Sequence, residues 1–418
     1  MKWAGRGCVL LNPYWSDPLN RMPRRTSHRA PILSVLLLGA GLLAPEFVRS
    51  QDIADAYRDD ANRLIDAALA NHDAYARLGE LVDLFGHRVS GSVALEQAID
   101  WIMEQMESDG LDNVRGDMVM VPHWVRGEES LEMTLPRPRS LPMLGLGGSI
   151  ATPVGGIRAE GLVVGSFDEL ERRADEAQGK IVLFDVPFTN YGATVQYRSQ
   201  GAIAAARAGA AASIIRSVTP YSQQTPHTGN MEYADGVRRI PHAAITVEDA
   251  EMLHRMQDRG ERIELLLKMN AQMLPDAPSR NVMAEIIGSE FPNEVIVLGG
   301  HIDSWDVGQG AMDDAGGVVA AWEAVRLMKE LGLRPRRTVR VVGWTSEENG
   351  GPGGSEYARM HAHEDHVLAM ESDGGVFKPL GYGFTGSDAA FEMVTEIGTL
   401  LDRIGAGLPI LFECLCVL

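Results

Sequence analysis

Cysteine is nearly absent from this chain. Of 418 residues only Cys8, Cys414 and Cys416 are cysteines, all close to the two ends. The body therefore has no disulfide framework and no thiol for catalysis. In the body, no cationic cluster offsets the acidic residues either. The net charge is -19, so a nucleic-acid partner would bind against a repulsive field and is not expected. The apolar run Ile32 to Leu43 is only roughly a dozen residues, short of the ~20 a spanning helix needs. It follows Arg21, Arg24, Arg25 and Arg29, which suits the central region of a signal peptide. Val48 and Ser50 would then precede a cleavage before Gln51, and Met22 would begin a more ordinary signal peptide than Met1. The chain is expected to be secreted or periplasmic; a short uncleaved anchor is the alternative reading. Removing residues 1–50 makes it more acidic still, because that segment is rich in arginine. No stable membrane association is expected afterwards. A last absence concerns histidine: none occurs between Asp373 and Leu418.

What is present indicates a packed protein. Hydrophobic residues make up 45%, enough for a core rather than a disordered chain. A chain of 418 residues exceeds one compact domain, which implies two domains or one interrupted by an insertion. Residues 51–149 begin with amphipathic helices, with Ile53, Ala56, Ala61, Leu64, Ile65 and Ala68 at helical spacing. A second helix runs from Val93 to Met106, and the proline- and glycine-rich stretch Leu135 to Gly148 marks a boundary. Residues 150–272 change texture, with a short strand at Lys180–Asp185, an alanine-rich helix over 200–212 and no ligand-like cluster. That segment reads as a lid or binding module. From residue 273 to 418 strands at Val295–Leu298, Thr338–Trp344 and His366–Met370 alternate with helices at Asp314–Leu331 and Ser387–Ile404. The alternation predicts an α/β fold, a mainly parallel or mixed sheet flanked by helices, interrupted by a smaller β-rich α/β insert.

In such sheets chemistry gathers beyond the carboxyl ends of the strands. Each candidate ligand falls there: His301 and Asp303 after the first strand, Glu347 and Glu348 after the second, Asp373 after the third. Asp313-Asp314 opens the helix between, with Gly299-Gly300 and Gly316-Gly317 allowing close backbone approach. Singly, each motif reads better as an exposed turn, since most charged residues are simply solvated. Together they fit hard metal ligands. Zinc accepts imidazole and carboxylate ligands and keeps a position open when catalytic. Two ions about 3.5–4 Å apart need a bridging carboxylate, and a further carboxylate must move the proton of the attacking water. The Glu347-Glu348 pair can supply one acid for each role, and Asp303 can fix the tautomer of His301.

The stretches His301-Ile-Asp-Ser-Trp-Asp-Val-Gly-Gln-Gly-Ala-Met-Asp-Asp314, Trp344-Thr-Ser-Glu-Glu348 and Met370-Glu-Ser-Asp373 resemble the M28 metallopeptidase family. Gly179-Lys-Ile-Val and Ile240 to Ala250 are similar to the protease-associated (PA) domain inserted in one of its branches. The resemblance covers most of 51–410. It implies that His301 and Asp373 hold one zinc, that Asp313 bridges and that Glu348 holds a second zinc. Glu347 would be the general base and Asp303 the residue that orients His301. It also implies a cis peptide after Asp313, and hydrolysis of a dipeptide or short peptide at a free terminus. A peptide is thus the expected partner, and a homodimer is left open.

One feature departs from that pattern. The family takes a further histidine ligand from a loop near the C-terminus, and here the text ends at Ile410-Leu-Phe-Glu-Cys-Leu-Cys-Val-Leu418. A truncated form is expected on this reading, with two zinc ions in an intact site and one here. His361, His363 and His366 are read as a polar helix end rather than substitutes. His227 and His242 lie in the insert without an assigned role. The alternative function is a non-catalytic binding form.

Overall fold

A computed structural model describes residues 7–11, 51–375 and 377–411. The apolar run Ile32 to Leu43, its basic flank, the cleavage before Gln51, Cys414 and Cys416 lie outside these residues. No helix among the described residues is long and apolar enough to cross a membrane.

Two eight-stranded sheets organise the described residues. The centre of the first is parallel: Phe291–His301 pairs with Arg337–Trp344 on one side and Asp365–Ser372 on the other. Val295, Val297, Val339, Val341 and Val342 are buried there, as strands covered on both faces require. Gln272–Ile286 and Asp112–Val125 extend the sheet antiparallel beyond Arg337–Trp344. On the far side Gly7–Leu11 runs parallel to Asp365–Ser372 and antiparallel to Gly381–Thr385, which pairs with Leu408–Leu411. Gly7–Leu11 belongs to the segment 1–50 read from sequence as a pre-segment. Its backbone sits between two strands whose facing edges would otherwise present unpaired N–H and C=O groups.

Helices cover this sheet because their apolar residues fall on one face. In Val93–Ser108 the buried residues are Leu95, Ala98, Ile99, Ile102 and Met106, spaced by three and four. Ser92 caps the helix, its hydroxyl accepting the N–H of Leu95 at 3.2 Å. Helix Gly316–Glu330 packs against the same core through Val318, Val319, Trp322 and Val325. Burying each such side chain contributes about 1.5–3 kcal/mol. Trp322 also donates to Asp109 at 2.8 Å, and Arg77 lies 3.9 Å above its ring.

The second sheet is also mixed. Ile157–Val164, Ile181–Phe184, Ala212–Arg216 and His242–Ile245 run parallel, and Glu264–Met269 and Glu129–Leu135 join antiparallel. Helices Gln196–Arg207 and Val247–Asp258 pack on it. The stretch read as a boundary lies within this sheet. Its prolines and glycines shape turns around the cis Leu135–Pro136 bond and the short strands Arg139–Leu141 and Met143–Gly145. Strands from Glu129 onward thus pair within the second sheet.

A few residues fasten the second sheet to the loop after His301. Arg126 makes a two-pronged ion pair with Asp306, at 2.8 and 2.6 Å, and donates to the carbonyl of Gly145. Its guanidinium also reaches the hydroxyl of Thr228 at 3.5 Å. Trp305 packs edge-on against Trp124 and lies directly over Gly147, where a Cβ would approach the indole to 1.9 Å.

Candidate active site

Register brings the strand ends level. His301 lies opposite Trp344, and Gly299 opposite Glu371, so the residues that follow emerge at one edge. His301, Asp313 and Asp373 converge there, each offering a ligand atom within 4.8 Å of the others. His301 Nε2 stands 2.9 Å from Asp313 and 3.5 Å from Asp373. The imidazole is buried, whereas the Asp313 and Asp373 side chains are 67% and 44% exposed and present free lone pairs to the cleft.

The backbone at the edge is built for close approach. A Cβ on Gly300 would lie 2.3 Å from the Asp314 carboxylate, and one on Gly317 would lie 1.8 Å from the carbonyl oxygen of Ser372. Glycine at these positions lets helix Gly316–Glu330 settle against two strand ends at once. The peptide between Asp313 and Asp314 is cis, as the resemblance implied. Asp314 points away from the cleft, accepting the N–H of His301 at 3.1 Å and that of Gly317 at 3.0 Å.

Asp303 does more than the sequence implied. The ring nitrogen Nδ1 of His301 bonds to the carbonyl of Asp303 at 3.0 Å, while the carboxylate stands 3.6 Å away, beyond hydrogen-bonding range. The two carboxylate oxygens instead accept the N–H groups of Glu347 and Glu348, at 2.9 and 3.2 Å. Ser346 just before them takes a left-handed φ of 60°, and its hydroxyl lies 2.8 Å from that of Ser90. This turn directs Glu347 to the exposed side of the cleft. Glu348 stands half-buried beside it and outside the group of three.

Arg88, which sequence reasoning did not single out, is wholly buried beneath the loop. Its guanidinium donates to the carbonyls of Ile302, Gln309, Gly310 and Gly86 at 2.7–3.0 Å. Burial pulls its pKa down to about 10 against the opposing charges of Asp303 and Asp314, which still leaves it cationic at neutral pH.

The acids here are too many for their surroundings. Burial pushes Asp314 up to about 9, Glu348 to about 8 and Glu371 to about 7, with repulsion from Asp313 or Asp373 adding to each. Glu347 is also raised, by desolvation and then by Asp303, Asp373 and Asp313. Burial opposes the charged form of His301, yet Asp303, Asp313 and Asp373 together raise its proton affinity well above the ordinary range. Such a surplus of negative charge fits a bound divalent cation, which would offset it.

The other histidines do not join the cluster. His361 is buried at a helix end, bonded to Asp117 at 2.8 Å and Glu364 at 3.0 Å, in a network with Arg340 and Tyr357 rather than on a solvated face. His366 lies 3.0 Å from the Tyr357 hydroxyl. His242 is buried in the insert against Ser213 and the carbonyl of Arg198. His227, from the insert, faces Asp313 closely enough for each charge to affect the other.

Residues 281–407 match peptidase family M28, and residues 153–253 match the PA domain. Over 383 residues the chain is 50% identical to carboxypeptidase Q of Bos taurus, covering 90% of this chain and 81% of that one. The chain belongs to peptidase family M28. It is 52% identical to carboxypeptidase Q of Homo sapiens over 351 residues, covering 83% of this chain and 74% of the relative. Among solved structures, an M28 peptidase from Shewanella amazonensis superposes with a TM-score of 0.83 at 33% identity, covering 86% of this chain and 84% of its own. The protein is thus an M28 metallopeptidase, an exopeptidase whose substrates are peptides.

Proposed function

We propose that this M28 peptidase is a zinc-dependent enzyme, exported from the cytoplasm, that removes a residue from the carboxyl end of dipeptides or short peptides. The observation that carries the zinc reading is the convergence of His301, Asp313 and Asp373 within 4.8 Å of one another. One imidazole with carboxylates suits zinc, and the exposed carboxylates leave room for water and substrate. His301 and Asp373 would hold one ion, Asp313 would be shared, and Glu348 would hold a second. Bound there, zinc supplies Lewis acidity, polarising the scissile carbonyl and acidifying water towards a pKa of about 7.

Glu347 does the proton work. Its carboxyl is exposed on the cleft side, and desolvation and the neighbouring acids raise its proton affinity from the ordinary value, the direction a general base needs. It takes a proton from the attacking water and gives it to the leaving amine. Asp303 and the Ser346 turn hold it in place. The carboxyl-end preference rests on the name of the relatives, and export on the run Ile32 to Leu43 before Gln51. The non-catalytic binding reading finds no support in the comparisons.

Removing metal with a chelator tests the proposal. Dipeptide hydrolysis should stop and return on adding zinc. Full turnover by metal-free protein would contradict it.

A further inference from the structure

We propose that Ser90 is a positioning residue for the reaction: its hydroxyl fixes the turn at Ser346 from which Glu347 reaches the cleft. The inference rests on the reading of Glu347 as the general base and deepens it.

Ser90 and Ser346 arrive from distant parts of the chain and meet wholly buried. From one hydroxyl Ser90 points to two oxygens, the carbonyl of Pro122 and the hydroxyl of Ser346, each at 2.8 Å. The backbone of Ser346 has a left-handed φ of 60°. Glycine takes that conformation freely and serine does not, so a serine must be held in it by its surroundings. Among the described residues the Ser346 side chain has one hydrogen-bond partner, Ser90.

The neighbours of Ser346 are held by other groups. The N–H of Thr345 donates to Asn281 at 3.0 Å, and the Thr345 hydroxyl lies 2.7 Å from that of Ser279. The N–H groups of Glu347 and Glu348 go to Asp303. Ser90 thus supplies the side-chain restraint at the bend itself.

Its own segment is fixed on both sides. Arg88 exchanges two hydrogen bonds with Ser304, N–H to hydroxyl and carbonyl to N–H, both at 3.0 Å. The Arg88 guanidinium also grips the loop that runs on to Asp313. After Ser90 the chain turns at Gly91, with a φ of 76°, so close to His123 that a Cβ would lie 2.9 Å from that side chain. Ser92 then caps helix Val93–Ser108. The segment therefore joins the loop carrying Asp313 to the turn carrying Glu347, and Ser90 is the link on the Glu347 side. Such a link matters because misplacing a reacting group by about 1 Å can cost about 100-fold in rate.

The experiment is a double-mutant cycle of Ser90→Ala and Ser346→Ala on the zinc-loaded full chain, with dipeptide kinetics and zinc content measured together. Each single change should lower kcat by about 10-fold and leave KM and zinc content within about twofold. The double variant should be no slower than the slower single by more than about twofold, because both changes remove one bond. A double variant slowed by the product of the two losses would mean that the serines act independently. An unchanged kcat, or a loss confined to KM or to zinc content, would mean that Ser90 does not aim the base; each of these results overturns the proposal. If Ser90→Ala does not fold, Ser90→Cys carries the same cycle, its thiol being close in size and a weaker donor. Glu347→Gln is measured alongside, and a parent-like rate there would instead contradict the base reading and the proposal built on it.

Discussion

The carboxylate of Asp303 holds the backbone of Glu347: its Oδ1 accepts that residue's N–H at 2.9 Å, and its Oδ2 accepts the N–H of Glu348 at 3.2 Å. The proposed base is therefore aimed by a side chain that arrives on a different strand. Asp303→Asn places an NH2 where one of these acceptors stands, so one bond is lost. We expect kcat for dipeptide hydrolysis to fall about 10- to 100-fold with little change in KM. Steady-state kinetics on the zinc-loaded variant checks this, and a fall confined to KM would argue against a role in aiming Glu347.

Gly317 sets how near the helix after Asp314 comes to the strand that precedes Asp373. A methyl group there would meet the Ser372 carbonyl at 1.8 Å, so Gly317→Ala must push the two apart. The expected cost is about 1–3 kcal/mol in stability, from overpacking. A zinc titration should also show affinity reduced by an order of magnitude, about the loss found when ligand support is disturbed.

Arg88 is a structural prediction of a different kind. Four carbonyls depend on it, and a lysine has three donors on a flexible stem that cannot reach them all. Arg88→Lys should destabilise the protein by about 3 kcal/mol or more, since each buried group left unpaired costs about 1–3 kcal/mol. Denaturant unfolding measures it. A loss within error of zero would mean the loop does not need this anchor.

His242 gives the fold a dependence on pH. Burial lowers its pKa to about 4, against an ordinary value of 6.5. The unfolded chain therefore takes up a proton first as pH falls. The contribution is complete above about pH 6.5 and is lost progressively down to about pH 4, to a total of order 3 kcal/mol. The neutral ring carries its proton on Nε2, donating to the Arg198 carbonyl, while Nδ1 accepts from Ser213. Stability measured at pH 7 and pH 5 should fall more steeply in wild type than in His242→Gln. Parallel slopes would remove His242 from the account.

These sites differ in how much of them could be read from the sequence. Strands such as Phe291–His301 and Arg337–Trp344 were legible because buried parallel strands are continuous apolar runs. His301, Asp313 and Asp373 were legible because each stands at the end of an element, where turn residues and acids stand out. Arg88 was not, since nothing local distinguishes an arginine that satisfies four carbonyls from one in solvent. The support given by Asp303 to Glu347 depends on two strands being in register, which no local pattern records. The influence of His227 on Asp313 arises only through the packing of the insert, which no local pattern shows.

The central claim is that Glu347 moves protons at a zinc site it does not build. Glu347→Gln keeps the shape of the side chain and removes its basicity. Zinc content and kcat measured on one preparation test the claim together. We predict zinc unchanged from the parent and kcat reduced about 10²- to 10⁴-fold. A variant that keeps more than about a tenth of the parent rate, below the usual contribution of such a base, would contradict it, as would one that loses its zinc along with its activity.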